Sequence, residues 1–173
     1  MHFRTADIDD FSKIRLLYKE VARHEGGLAR QEHEVTDDYI ETFLKKSLAS
    51  GLMIVAEHPD DSETLVAEIH AYKPGIKVFE HLLSDLTIVV HPGFQGKKVG
   101  RTIFTIFLEE IARNRPDIGK VELIARESNQ KAIALYQSLG FSIEGRFEMR
   151  IKTSHGTYEA DIPMGWQNPM YEF

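Results

Sequence analysis

The stretch His91-Pro92-Gly93-Phe94-Gln95-Gly96-Lys97-Lys98-Val99-Gly100-Arg101 decides how the chain is read. Before it, Leu86-Thr87-Ile88-Val89-Val90 is rich in β-branched residues, as buried strands are; after it, Val99, Ile103, Ile106, Phe107 and Ile111 recur at helical spacing. The order is therefore strand, glycine-bearing turn, helix. Pro92 and Gly93 stop the strand, while Gly96 and Gly100 remove side chains that would hold a ligand's phosphates away from the backbone N–H groups of the first helical turn. A helix start of this kind presents unpaired donors and a partial positive charge, so it holds an anion without a metal. Lys97, Lys98 and Arg101 add formal charge beside it. A Walker loop is excluded because Gly96 is followed by Lys97-Lys98 rather than Lys-Ser/Thr, and glycines at 93, 96 and 100 do not fit the dinucleotide fingerprint. This stretch alone leaves a plain strand-to-helix turn as the alternative.

The 173 residues suit one compact domain spanning 1–173, with 42% apolar and 28% charged residues. A net charge of -6 gives no reason to expect nucleic acid or an anionic membrane as partner. The absence of cysteine closes disulfide, thiolate-metal and acyl-cysteine chemistry. The eight histidines show no metal-ligand spacing, so no metal is expected. The polar start, Met1 to Asp7, and the lack of any transmembrane-length run lead us to expect a soluble, cytoplasmic protein.

Taken in order, Phe3-Arg4 reads as a short strand, and Asp7 to Asp10 place acids at the start of a helix whose buried stripe is Phe11, Ile14, Leu17 and Val21. Residues 24–30 form a loop with paired glycines. A second helix is expected from Thr36, with Ile40, Phe43, Leu44 and Leu48 facing inward and Gly51 as its C-terminal stop. Leu52 to Ala56 and Leu65 to Tyr72 read as a hairpin around Pro59-Asp60. Val78 to Val90 reads as one long strand with an irregularity between His81 and Ser84, and the helix after the glycine turn should stop by Pro116. Val121 to Ala125 completes a parallel βαβ unit. A further helix is expected with Ser128 as N-cap, Ala132, Leu135 and Leu139 buried, and Gly140 just past its end. Strands 141–152 and 158–164 follow, joined at Ser154-His155-Gly156. The class is mixed α/β.

Gln95-x-x-Lys98-x-Gly100 resembles the Gln/Arg-x-x-Gly-x-Gly/Ala pattern of the GCN5-related N-acetyltransferases, with lysine where glycine is usual. Asn129-x-x-Ala132-x-x-Leu135-Tyr136-x-x-x-Gly140-Phe141 is similar to that family's second signature. The resemblance extends over nearly the whole chain, and Glu144-Gly145-Arg146 with Tyr158 is similar to a branch of small bacterial enzymes acting on amines. It implies a splayed, mostly antiparallel sheet with a parallel pair at the cofactor cleft. Ile88, Val89 and Val90 would pair with the pantetheine arm of acetyl-coenzyme A; Gln95, Gly96, Lys97, Lys98, Val99, Gly100 and Arg101 would take its pyrophosphate; Asn129 would contact the arm or an ordered water. Lys98 can still offer its N–H, but the turn must accept a Cβ there.

The implied reaction moves an acetyl group to a primary amine of a small molecule or peptide. It needs a neutral amine, a stabilised oxyanion and a proton for the thiolate. Tyr136 resembles the residue that protonates the thiolate; the other reading is an amphipathic core tyrosine. Asp85 is the nearest upstream carboxylate for the base, with Glu80 and His81 as rivals, and burial or a water chain would have to assist it. Glu25 and Tyr158 are candidate acceptor-binding residues, each also readable as a solvated surface group. A binding or regulatory module of the same fold that transfers nothing is the rival function, and the resemblance leaves a homodimer open.

Overall fold

The computed structural model describes residues 1–24 and 28–172. Among them, eight strands form one sheet: β1 (Phe3–Thr5), β2 (Leu52–His58), β3 (Asp61–Tyr72), β4 (Leu82–Val90), β5 (Lys120–Arg126), β6 (Ser142–Ile143), β7 (Phe147–Lys152) and β8 (Tyr158–Gln167). Their spatial order is β1-β2-β3-β4-β5-β8-β6, with β7 also on β8. Helices α1 (Phe11–Ala22) and α2 (Asp37–Ser50) cover one face, and the other packs on α3 (Val99–Asn114); α4 (Gln130–Ser138) follows β5.

Every pairing is antiparallel except β4 with β5, which meet only at Leu82↔Lys120 and Leu83↔Val121. Beyond that point β4 stays with β3, through Ile69↔Ile88 and Ala67↔Val90, while β5 stays with β8. The sheet therefore splits, leaving one edge of Thr87 to Val90 without a strand neighbour. The split begins at an irregularity: His70 stands opposite Thr87 but Tyr72 opposite Ser84, so β4 carries one extra residue, and Asp85 takes φ 54. A bulge with a left-handed residue bends its strand, which turns β4 away from β5.

Local chemistry sets the helices. Thr36 caps α2 by accepting from the Tyr39 N–H at 3.2 Å. Asp7 caps a short 3-10 turn, and Asp10, 2% exposed, takes both Arg4 guanidinium nitrogens at 2.7 Å, tying α1 to β1. Gly51 ends α2 as expected, though not in the left-handed conformation; a Cβ there would lie 2.0 Å from the Ala71 carbonyl oxygen. Other expectations are corrected. Leu48 is exposed and Ser47 is buried in its place. The N-cap of α4 is Asn129, not Ser128, and Ile133 is its buried residue, while Ala132 and Leu135 border a cavity. The strand expected over 141–152 is interrupted between β6 and β7, and that over 78–90 begins only at Leu82, after a 3-10 turn at Lys77–Phe79.

Candidate active site

The turn between β4 and α3 forms the wall of a 540 Å³ cavity lined by Ile88, Val90, Gln95, Gly96, Lys98 and Gly100, with Asn129 opposite. No side chain among the described residues caps α3, and its first turn closes with Thr102 N–H donating to the Lys98 carbonyl at 3.0 Å. The earlier N–H groups of the helix are thus oriented as an anion site. Gly96 has φ +73 with open space where a Cβ would be, and a Cβ on Gly100 would reach Val90 Cγ2 at 3.5 Å. Lys98 adopts φ 65, the conformation glycine takes without penalty. The chain accepts that strain and keeps a cation at the cradle. Gln95 turns inward, its Nε2 donating to the Val90 carbonyl at 3.2 Å. Lys97 lies over the Phe94 ring at 5.0 Å, Arg101 donates to Ser138 Oγ at 2.8 Å and so joins α3 to α4, and Val99 is buried. Val89 is also buried, so only the backbone of that residue could meet a ligand. These features fit the pyrophosphate and pantetheine arm of coenzyme A.

The cavity continues past Ile88, Asn129 and Ala132 into a second of 480 Å³, which holds Tyr136. That tyrosine packs against Phe104, with ring centroids 5.5 Å apart, and burial raises its pKa above the ordinary phenol value. It therefore stays protonated at neutral pH. Asn129 accepts the Ala132 N–H at 3.2 Å, fixing the start of α4 at the groove.

Leu86, Thr87, Leu123 and Ile124 are shared with a third cavity of 360 Å³ on the α1/α2 side of the sheet. Its walls are aromatic: Tyr39, Phe43, His70 and Tyr72. Asp85 lies here, exposed, near Tyr72; burial first, then the Asp85 charge, push the Tyr72 pKa up to about 12. The Arg30 guanidinium stands 3.9 Å from the Tyr39 ring centroid and enters both inner cavities.

The cradle residues, Asn129, Tyr136 and Asp85 are therefore brought to one connected groove. Tyr158 is not: it is 53% exposed, and strand alternation puts its neighbour Glu159 on the nearby cavity wall instead. Glu25 lies outside the described residues, although Leu28 and Arg30 after it border the groove. Glu80 and His81 are exposed before β4 begins. Sequence reading missed Arg30, Tyr39, His70, Tyr72 and the buried Glu68. A usable signal existed for two of these, since Glu68 and His70 alternate inside the otherwise apolar run Leu65 to Ala71. Among the described residues no cluster of three or more His, Cys, Asp or Glu could hold a metal ion.

Residues 14–141 match the model of the acetyltransferase (GNAT) family. The chain belongs to the GNAT family. Among GNAT relatives it is 28% identical over 145 residues to the L-amino acid N-acyltransferase MnaT of Escherichia coli (strain K12), covering 83% of this chain and 80% of that protein. Its fold is similar to a GNAT acetyltransferase from Streptococcus pneumoniae, with a TM-score of 0.83 and 19% identity over 96% of this chain and 98% of that one. It is also similar to a GNAT phosphinothricin acetyltransferase from Sinorhizobium meliloti in complex with acetyl-coenzyme A, with a TM-score of 0.82 and 16% identity over 98% and 89%. The groove at the split of the sheet thus has the cradle at one end and the aromatic pocket at the other.

Proposed function

We propose that this acetyltransferase moves the acetyl group of acetyl-coenzyme A directly to the primary amine of a small molecule, with an amino acid as acceptor. The observation that carries the reading is the continuity of the groove: an anion cradle, a protonated tyrosine and an aromatic pocket share walls at Leu86 to Ile88. The backbone of Ile88 to Val90 would orient the arm, and an N–H near Val90 would face the developing oxyanion. Tyr136 would protonate the departing thiolate. Phenol and thiol differ by only about 1.5 pKa units in water, or about 2 kcal/mol, and both anions lose hydration in one cavity, so that transfer is within reach.

In the pocket, Asp85 and its Tyr72 partner suit an ammonium group, and the aromatic walls suit an apolar side chain. Arg30, held by stacking rather than by an ion pair among the described residues, suits a carboxylate. The E. coli relative's name points the same way. No helix among the described residues is long and apolar enough to cross a membrane.

The test is thiol release from acetyl-coenzyme A with amino acids and with the corresponding decarboxylated amines. The reading expects turnover with amino acids and, for Arg30→Met, a KM raised about tenfold for amino acids and little changed for the amines. Equal use of both acceptor sets by the unaltered protein refutes the amino-acid assignment. Coenzyme A binding with no turnover on any amine favours a binding module instead, a reading consistent with the strained Lys98 turn.

A further inference from the structure

A buried acid lies beneath the pocket, unused by the chemistry above. Glu68 on β3 is 0% exposed; its carboxylate accepts the Tyr18 hydroxyl at 2.6 Å and stands 3.0 Å from Nδ1 of His70, which is 2% exposed. Among the described residues no lysine or arginine pairs with it. Burial and the Glu68 charge raise the Tyr18 pKa, so the tyrosine stays protonated and can donate to Glu68. Placing a carboxylate here costs several kcal/mol of lost hydration, and an apolar residue of similar size would pack at no such cost. A group retained against that gradient needs a use.

The surroundings indicate one. The network opens to the groove through the imidazole: His70 is on the pocket wall, clamped between Phe43 at 4.2 Å and Tyr72 at 6.1 Å, both nearly parallel to it. With Nδ1–H held on Glu68, Nε2 is the nitrogen available to accept a proton, and the carboxylate stabilises the resulting imidazolium. In register, His70 stands opposite Thr87, on the stretch of β4 where the acyl group would lie. Asp85, the rival acid, is exposed.

We infer that His70, poised by Glu68 and Tyr18, takes the proton of the acceptor ammonium at the floor of the aromatic pocket. The inference rests on the transferase reading. One N–H bond of the ammonium breaks, its proton passes to Nε2, and the freed electron pair forms the C–N bond to the acetyl carbon as the C–S bond breaks. The thiolate takes the Tyr136 proton, and Tyr136 is restored by the proton that the amide nitrogen sheds. His70 then returns its proton to water, so each turnover releases one proton.

The titratable and charged groups in contact with His70 are Tyr18 from α1 and Glu68 and Tyr72 from β3, and those lining the same pocket are Tyr39 from α2, Asp85 from β4, Glu122 from β5 and Arg30. Rates of thiol release are measured against pH for the unaltered protein and for His70→Gln, Glu68→Gln and Asp85→Asn. His70→Gln should lose kcat about 100-fold at neutral pH, keep the KM for acetyl-coenzyme A, and recover as pH rises toward the amine's own pKa. Glu68→Gln removes the charge that favours the imidazolium, so the acidic limb of kcat/KM should move to lower pH, a shift that mere packing would not cause. Asp85→Asn should cost less than His70→Gln. Turnover of His70→Gln within about threefold, with the same pH profile, overturns the inference while leaving the transferase reading intact. If His70→Gln fails to bind coenzyme A or to melt cooperatively, Glu68→Gln decides, and an unmoved limb overturns it. An unaltered protein that binds coenzyme A but acetylates no amine overturns the transferase reading, and this inference with it.

Discussion

The two ends of the groove are built in opposite ways. The cradle is made by fourteen consecutive positions, 88–101, and most of its binding groups belong to the backbone. The aromatic pocket is made by side chains from α2, β3, β4 and β5 and from the loop carrying Arg30, with Tyr18 of α1 beneath. A backbone site tolerates side-chain change wherever the conformation survives, which is how Lys98 stands in a glycine position. A side-chain site has no such tolerance, because each wall depends on how separate elements pack. Under the proposed function, the first suits a constant cofactor and the second a variable acceptor.

Substitutions at the two ends should separate affinity from turnover. Tyr136→Phe, at the junction, should reduce kcat by about 100-fold or more with unchanged acetyl-coenzyme A affinity, and stopped-time thiol assays beside calorimetry check both. An unchanged rate would mean that the thiolate finds its proton elsewhere. Gly100→Glu should do the reverse at the cradle, weakening coenzyme A binding by about 100-fold, or about 2.7 kcal/mol, through bulk and negative charge beside the pyrophosphate. Undiminished affinity by calorimetry in a folded variant would break the cradle assignment.

Smaller effects test the scaffolding behind each end. Asp10 anchors α1, and hence Tyr18, through Arg4; the hydrogen bond from that guanidinium holds its carboxyl below the usual range against the opposing effect of burial. A depressed folded pKa adds stability that is present above the unfolded value, near 3.9, and disappears as pH falls through the folded one. Asp10→Asn should therefore cost about 2 kcal/mol at neutral pH and show a smaller loss of Tm on acidification below about pH 4, by thermal melts. Lys98→Gly removes a left-handed Cβ and should raise stability by about 0.5–1 kcal/mol, with cradle affinity changing little if backbone N–H groups dominate. A large loss of affinity would instead show that the Lys98 charge carries the binding.

Legibility followed the same division. Gly96 and Gly100 could be placed from the sequence because a strand-turn-helix order is a local property, whereas Asn129 and Tyr136 came from the family resemblance; all four line the groove. Leu48 and Tyr158 were misplaced because one residue of rotation on a helix, or one step along a strand, exchanges inside for outside. His70 and Glu68 were passed over for the opposite reason: polar residues in an apolar run show their purpose only when the Tyr18 and Phe43 that meet them are known.

By itself the sequence determined the mixed α/β class and the strand, glycine-bearing turn and helix around residues 86–111, since these depend on residues within a few turns of one another. Only the tertiary structure decided where β4 parts from β5, because the bulge at Asp85 depends on register with β3. Only it, too, placed a histidine and a buried acid from one strand beneath a pocket walled by four elements. Those contacts span 50 residues or more for Tyr18 with Glu68, a separation at which local spacing says nothing about which side chains will meet.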